Sequence, residues 1–293
     1  MSNGENLAGQ FTFPGTELKV HRMGFGAMQL AGPHVFGPPR DRAACVRVLR
    51  RVIEAGVDHL DTSDFYGPHI TNQIIHEALH PYPKNLVIVS KLGARRGAAG
   101  EWIHDLTPEC LTNGLHDNLR HLSLDAIDIV NLRCPGFASA TPGFDPRPAM
   151  AVLAGLQQQG KIKHIGLSNV DAEQIRLAEE VAPVVCVQNA YNLANRADDA
   201  LVQALATRGI AYVPFFPLGG FTPLQSTHLN EVAESLGATP MQVALAWLLQ
   251  RSPKLLLIPG TSSLAHLEEN LAAARLRLPE SALRTLDAVG SAA

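Results

Sequence analysis

Apolar segments of strand length alternate with helix-forming segments along almost the whole chain, and eight such pairs are present. The strands are predicted at 23–30, 57–61, 86–91, 126–132, 162–168, 184–189, 210–216 and 255–260. The helices are predicted near 41–55, 70–80, 107–121, 147–159, 171–181, 197–208, 228–250 and 264–274. Parallel strands need a crossover helix between them, and eight βα units close into a ring. The alternation therefore predicts the α/β class and, within it, a (β/α)8 TIM barrel.

An open, doubly wound sheet is the competing arrangement, because it also alternates strands with helices. Such a sheet usually has fewer strands, and its first strand runs into the glycine-rich sequence G-x-G-x-x-G. Here Gly24 and Gly26 lie in the first predicted strand, but Gln29 occupies the place of the third glycine. The barrel is therefore the preferred prediction.

A short N-terminal hairpin is predicted ahead of the barrel, formed by 11–13 and 17–20 around a Pro-Gly-Thr turn. The chain has 293 residues, and α/β barrels of roughly 250 residues fold as one unit. We therefore expect residues 1–293 to form a single domain.

Charge and composition argue against several classes of partner. The chain has 24 Lys and Arg against 27 Asp and Glu, so no basic surface that could follow a phosphate backbone is expected. No apolar run approaches the roughly 18 residues of a membrane span, and the start of the chain lacks the apolar core of a secretion signal. We expect a cytoplasmic protein that binds neither nucleic acid nor membrane. Its four cysteines form no C-x-x-C pair and are expected to be reduced and mostly buried.

Polar or aromatic side chains stand where the predicted strands end. In a barrel these carboxyl-terminal ends meet at one mouth, where active sites are built. The residues concerned are Asp61, Lys91, Arg133, Ser168, Asn169, Gln188, Asn189, Phe215, Phe216 and the run from Gly260 to Ser263. Two segments rich in Gly and Pro, 93–100 and 134–148, are predicted as long loops at the same rim. A buried charge must be paired or functional, so this end of the barrel is the candidate site.

Five of these strand-end segments resemble the aldo-keto reductase family, in the family's order and on the matching strands. They are GVDHLDTSDFYG (56–67), VSKLG (89–93), KHIGLSN (163–169), VQNAYN (187–192) and IPGTSSLAHLEEN (258–270). The resemblance implies hydride transfer from NADPH to the carbonyl carbon of a small aldehyde. Two further stretches, 215–226 and 237–253, resemble the bacterial branch that reduces pyridoxal to pyridoxine, so pyridoxal is the expected substrate.

The resemblance assigns catalysis to Tyr66, Lys91 and Asp61. Tyr66 would donate a proton to the carbonyl oxygen. A phenol is a weak acid, so a nearby cation such as Lys91 is needed to favour its ionised form. Asp61 would hold the Lys91 ammonium in place. The alternative is a structural Asp61–Lys91 ion pair with Tyr66 as an ordinary loop aromatic.

Arg133 stands where most members of the family have a histidine. Arginine stays charged and only donates hydrogen bonds, so it cannot pass on a proton as imidazole does. It can polarise the carbonyl, stabilise an oxyanion, bind an anionic substrate group such as a phenolate, or pair with a loop carboxylate. The replacement also keeps a second function open, an NADP-binding regulatory subunit with weak turnover.

The cofactor residues are likewise implied by the resemblance. Ser168, Asn169 and Gln188 would bind the nicotinamide carboxamide, and Phe215 would stack on its ring, although core packing is expected for one of Phe215 and Phe216. The phosphates would be bound by Gly260, Thr261, Ser262 and Ser263 at a helix start, and the adenine by Glu269 and Asn270, which can equally be solvated helix residues. The remaining predicted contacts are Gly26, Leu218 and His266. Many relatives have Lys and Arg where Gly260 and His266 stand here, so the preference for NADPH over NADH rests on the family alone.

The sequence His76-Glu77-Ala78-Leu79-His80 matches the H-E-x-x-H signature of zinc proteases. On a helix, however, Ile74, Ile75, Ala78 and Leu79 form the apolar face, and both histidines point away from it. We therefore expect no metal site there, and no metal cofactor.

Overall fold

The structure is a computed structural model, and it describes residues 7–136, 139–219 and 226–289. Its strands are β1 (Gln10–Thr12), β2 (Lys19–His21), β3 (Phe25–Gly26), β4 (His59–Asp61), β5 (Val87–Leu92), β6 (Ala94–Arg96), β7 (Trp102–His104), β8 (Ile127–Arg133), β9 (Ile162–Ser168), β10 (Val184–Gln188) and β11 (Ala211–Tyr212). The α-helices are α1 (Arg42–Glu54), α2 (Ile70–Leu79), α3 (Pro108–Leu122), α4 (Arg147–Gln158), α5 (Ala172–Glu179), α6 (Asp199–Thr207), α7 (Thr227–Ser235), α8 (Pro240–Arg251), α9 (Leu264–Ala272) and α10 (Glu280–Asp287). Single 3-10 turns lie at Ala27–Leu30, Pro33–Val35 and Ala273–Arg275.

Seven parallel strands form the barrel sheet, in the order β3, β4, β5, β8, β9, β10 and β11. The eighth predicted strand closes the ring through isolated bridges, from Leu255 to Tyr212 and from Leu257 to Met23. Backbone hydrogen bonds accompany both bridges: Leu256 N donates to Tyr212 O at 3.0 Å, and Gly24 N donates to Leu257 O at 2.8 Å. The predicted (β/α)8 barrel is therefore confirmed, as is the hairpin, in which β1 pairs antiparallel with β2.

The barrel has two apolar layers, because alternate residues of a strand face opposite sides. Ile88 packs with the surrounding helices, whereas Val87 and Val89 on either side of it belong to the inner cluster. Phe11 and Phe13 of the hairpin join that inner cluster, so the hairpin fills the amino-terminal end of the barrel. The opposite end is left to the polar residues that end the strands.

Four features of the secondary structure differ from the prediction. The helix predicted at 228–250 is two helices, α7 and α8, because Thr239 caps a new helix by accepting a hydrogen bond from Gln242 N while Pro240 takes its first position. The segment 93–100, predicted as a long loop at the rim, contains β6, which pairs antiparallel with β7. Helix α10 was not predicted. The first predicted strand is also shorter than expected, because the chain turns into a 3-10 helix after Gly26.

The cysteines agree with the expectation, since all four are free and three of them are buried. Within the described ranges, no helix is long and apolar enough to cross a membrane.

Candidate active site

One cavity opens at the carboxyl-terminal mouth of the barrel and brings together most of the predicted site residues. The predicted residues that line it are Gly26, Asp61, Tyr66, Lys91, Arg133, Ser168, Asn169, Gln188, Phe215, Phe216, Leu218 and Gly260. Residues of the wall that the sequence analysis did not select are Met28, Gln29, Val35, Ala94, Trp102, His104, Gly136, Pro217, Ile258 and Pro259.

Lys91 and Asp61 form a buried ion pair at the base of this cavity. Lys91 lies near the end of β5, and Asp61 ends β4, its neighbour in the sheet. Both residues therefore lie at the same mouth of the barrel. The Lys91 ammonium contacts Asp61 Oδ1 and also donates to Thr62 O at 3.0 Å. Their side chains are 5% and 4% exposed. An isolated charge at this depth would be very costly, so the pairing compensates for the burial of both charges.

Tyr66 lies beside this pair, in the tight loop between β4 and α2. Its backbone N–H donates to Ser63 O at 3.0 Å, and its carbonyl accepts from Thr71 N at 3.1 Å, which fixes the loop against the start of α2. The side chain is 5% exposed, and Lys91 Nζ lies 5.3 Å from the centre of its ring. The ion pair and the tyrosine therefore share one wall of the cavity.

The amide side chains of Gln188 and Asn169 present unpaired oxygen atoms in this cavity. Gln188 Nε2 donates to Asp61 Oδ2 at 2.9 Å, and Asn169 Nδ2 donates to the carbonyl oxygens of Cys134 and Gly136 at 3.2 and 2.8 Å. Those partners only accept, so the amide orientations are fixed by the hydrogen bonds. Gln188 Oε1 and Asn169 Oδ1 are buried without a partner. A primary carboxamide has two N–H donors and one acceptor, so these oxygens and the nearby Ser168 hydroxyl fit the nicotinamide carboxamide.

Phe215 and Phe216 both line the cavity and are only partly buried, so neither is an ordinary core residue. Their rings meet edge to face, with centres 5.2 Å apart. Phe215 forms a parallel bridge with Ala190, which extends the barrel sheet beyond β11. Part of the following stretch that resembles the family, residues 220–225, lies outside the described residues.

The rest of the predicted cofactor segment leads away from this cavity along α9. Thr261 is buried, and its hydroxyl accepts from Ser263 N at 3.0 Å, while Ser263 caps the helix. Ser262 and His266 are exposed and Asn270 is buried. Glu269, predicted to contact adenine, contacts the Thr239 hydroxyl at the start of α8. The amino-terminal end of α9 thus faces the same rim, but Thr261, Ser262, Ser263, His266, Glu269 and Asn270 are not part of the cavity wall.

Arg133 reaches the cavity from the end of β8, and the hairpin of β6 and β7 folds over it. Arg133 Cζ lies 4.9 Å from the centre of the Trp102 ring, and Arg96 Cζ lies 4.2 Å from the same centre. Trp102 also meets Tyr66 edge to face at 6.3 Å.

Burial and the Arg133 charge lower the pKa of His104, which lines the same wall. Trp102, Arg96 and His104 were not among the residues predicted from the sequence. A tryptophan within a loop rich in Gly and Arg was the available signal.

The histidines of the H-E-x-x-H sequence have the predicted outward orientation. His76 is partly exposed and His80 is exposed, and Glu77 forms an ion pair with Arg42 at 2.7 Å. A different group of possible metal ligands is formed by Asp64, His69 and His121, at the loop after β4 and on α3.

Hydrogen bonds already satisfy that group. Asp64 Oδ2 pairs with His69 Nδ1 at 2.6 Å, and Asp64 Oδ1 pairs with His121 Nδ1 at 2.9 Å. The bond to Asp64 raises the pKa of His69. The cluster is therefore a carboxylate that forms hydrogen bonds with two histidines.

A barrel with a tyrosine and a buried Lys–Asp pair at its mouth has the architecture of a carbonyl oxidoreductase. The model described as the aldo/keto reductase family matches residues 22–291. The chain is 60% identical over 281 residues to pyridoxine 4-dehydrogenase of Escherichia coli strain K12, covering 95% of this chain and 98% of that protein. It is 37% identical over 275 residues to an uncharacterized oxidoreductase of Schizosaccharomyces pombe, covering 94% and 88%.

A solved thermostable aldo-keto reductase, in complex with the inhibitor epalrestat, superposes with a TM-score of 0.81 at 27% identity, covering 96% of this chain and 99% of the other. The chain belongs to the aldo/keto reductase family. The family predicted from the five motifs is thereby confirmed, and the bacterial relative agrees with the predicted branch.

Proposed function

We propose that the protein is an NADPH-dependent reductase that converts pyridoxal to pyridoxine. The observation that carries the proposal is the placement of Tyr66 against the buried Lys91–Asp61 pair, within a cavity whose wall offers unpaired amide oxygens. The 60% identity to a pyridoxine 4-dehydrogenase supports the choice of substrate, because a protein of that name acts on pyridoxine, the alcohol that corresponds to pyridoxal.

Tyr66, Lys91 and Asp61, at the bottom of the cavity, each have a distinct role in this reaction. Bound NADPH would supply the hydride. Tyr66 would donate the proton to the carbonyl oxygen, because a phenol can both donate a hydrogen bond and give up its proton. The Lys91 ammonium would favour the resulting phenolate, and Asp61 would hold that ammonium in place. Arg133 would act on the substrate from the rim.

The cofactor would lie across the mouth, held by groups of different chemistry. Ser168, Asn169 and Gln188 would bind the carboxamide. Phe215 would contact the nicotinamide ring, which would also be flanked by Gly26, Phe216 and Leu218. The start of α9, at Gly260, Thr261, Ser262 and Ser263, would bind phosphate, because a helix start presents free N–H groups. His266, Glu269 and Asn270 would be the contacts at the adenosine end.

We further propose a single barrel domain over residues 1–293, working in the cytoplasm. The family match over residues 22–291 supports one unit. Free and mostly buried thiols suit a reducing compartment. The expected ligand is a small aldehyde, and no nucleic acid, membrane or metal has a part in the proposed reaction.

The test is a titration of the protein with NADPH and with NADH, followed by fluorescence, and then addition of pyridoxal with absorbance as the readout. Tight NADPH binding and rapid oxidation support the proposal. Binding without turnover of pyridoxal or of simple aldehydes would instead favour the regulatory subunit, and absence of binding would overturn both.

The Tyr66→Phe variant identifies the proton donor. It should retain cofactor affinity and lose carbonyl reduction by about a hundredfold or more, the range for general acid catalysis. The matched control is Tyr82→Phe, because the Tyr82 hydroxyl donates to Leu122 O at 2.8 Å outside the cavity. The control should cost only about 1 kcal/mol of stability and leave turnover unchanged.

A further inference from the structure

Arg133 carries a charge that no carboxylate neutralises within the part of the chain that the structure describes. Its side chain is partly buried in the cavity wall, at the end of β8. Across residues 7–136, 139–219 and 226–289, no carboxylate forms an ion pair with it and no hydrogen bond engages its guanidinium. The Arg133 guanidinium lies over the face of Trp102, with Cζ 4.9 Å from the centre of the ring. An aromatic face attracts a cation weakly and leaves its N–H donors free to bind a ligand.

A second arginine increases the positive potential at this wall. Arg96 lies over the same Trp102 ring at 4.2 Å, and its Nε and Nη1 atoms are buried without a hydrogen-bond partner. Burial, and next the Arg133 charge, lower the pKa of Arg96, while Glu101 acts in the opposite direction. The two guanidinium groups therefore repel each other, and an anion bound at Arg133, the one of the pair that lines the cavity, would relieve this repulsion.

The position of Trp102 connects this positive wall with the proposed proton donor. The Trp102 ring meets Tyr66 edge to face at 6.3 Å and meets Arg133 at 4.9 Å. Tyr66 and Arg133 therefore lie on the Trp102 side of one cavity, so a small ring compound bound at the Tyr66 hydroxyl would extend toward Arg133. Trp102 itself is 36% exposed and forms part of the cavity wall between Tyr66 and Arg133.

We propose that Arg133 is the specificity-determining residue of the enzyme, and that it selects aromatic aldehydes with an ionised oxygen on the ring carbon next to the aldehyde. The position of that oxygen rests on the proposed function, since pyridoxal carries its phenolic oxygen there. A guanidinium binds an oxyanion through charge-assisted hydrogen bonds, which an ammonium or a neutral side chain reproduces only in part.

The experiment compares three aldehydes with NADPH as reductant: 2-hydroxybenzaldehyde, 4-hydroxybenzaldehyde and benzaldehyde. At a pH where the phenols are ionised, the wild-type protein should prefer the 2-hydroxy compound over benzaldehyde by about tenfold to a hundredfold in kcat/KM, the worth of a hydrogen bond to a charged group. The 4-hydroxy compound should gain much less. The Arg133→Met variant should lose this preference mainly through KM, and Arg133→Lys should keep part of it.

Arg95→Met is the matched control, because Arg95 lies on β6 next to Arg96, is exposed, and pairs with Asp105 at 3.1 Å. It should leave the preference unchanged. An equal loss on all three aldehydes in Arg133→Met would overturn the proposal, because it would make Arg133 a general part of the catalytic machinery. The proposed function would fail differently, with no wild-type turnover of pyridoxal.

A measurement on the wild-type protein covers the case in which Arg133→Met does not fold. The preference for 2-hydroxybenzaldehyde over benzaldehyde should rise as the phenol ionises and fall as salt is added, since salt screens a partly exposed charge pair. A preference that changes with neither pH nor salt would overturn the proposal.

Discussion

Gln188 donates a hydrogen bond from Nε2 to Asp61 Oδ2 at 2.9 Å, and its own Oε1 is buried without a partner in the same cavity. One side chain therefore joins the carboxylate behind Lys91 to the place proposed for the nicotinamide carboxamide. Both barrel strands concerned, β4 and β10, end at this mouth although they lie on opposite parts of the sheet order. The amide thus supports the ion pair on one side and offers an acceptor on the other.

We expect Gln188→Leu to weaken both functions of this amide. It removes a hydrogen bond to a buried carboxylate, worth about 1.5–3 kcal/mol, and also the proposed acceptor for the cofactor. Unfolding in urea and NADPH titration measure the two effects. Gln174→Leu is the matched control: Gln174 is equally buried but donates to Thr141 O at 2.7 Å outside the cavity, so only stability should fall. Unchanged NADPH affinity in Gln188→Leu would contradict the proposed contact.

The barrel and the base of the site could be predicted because they follow from local pattern. Asp61, Lys91 and Gln188 each end a strand, and parallel strands of a barrel bring their ends together whatever the details of the loops. The ring of Trp102 could not be placed in the same way. Its strand has three residues, and its contacts with Arg133 and Tyr66 depend on how a hairpin folds over the mouth.

Separate variants of Lys91 and Asp61 should distinguish stability from catalysis. Lys91→Met leaves the buried Asp61 carboxylate without its ammonium, so we expect a loss of about 3–5 kcal/mol in the free energy of unfolding. The double variant Lys91→Met with Asp61→Asn removes both charges and should regain much of this stability. It should remain inactive, because the cation beside Tyr66 is still absent. Recovery of turnover with recovery of stability would show that the pair has only a structural role.

The seam where the barrel closes should be sensitive to one methyl group. A Cβ atom on Gly260 would lie too close to the Gly26 carbonyl oxygen, so Gly260→Ala must move two backbones apart. Such overpacking costs about 1–3 kcal/mol, and here it also displaces the mouth. Gly155 in the middle of α4 has open space around it, so Gly155→Ala should stabilise the protein by about 0.5–1 kcal/mol. Thermal unfolding measures both, and the two variants should shift the midpoint in opposite directions.

The helix boundaries show a second limit of sequence patterns. The apolar periodicity of 228–250 continues across Gly237 and therefore predicts one helix. In the structure Gly237 has a φ of 60°, a left-handed conformation that ends α7, and α8 begins three residues later. Periodicity reports which side chains are buried, and two successive helices packed on the same core share it.

His69 should make stability depend on pH through its bond to Asp64, which fixes the loop that carries Tyr66. This bond raises the pKa of His69 above its unfolded value of about 6.5, despite partial desolvation. The stabilisation is therefore complete below about pH 6.5 and is lost as the pH rises through the higher folded pKa. Urea unfolding at a series of pH values should show this decline in the wild-type protein and a flatter profile in His69→Gln.

His76→Gln, on the exposed side of helix α2, is the control and should keep the wild-type profile. If His69→Gln and the wild type decline in parallel, the pairing with Asp64 does not set the pH dependence, and the support of the Tyr66 loop must come from its backbone hydrogen bonds alone.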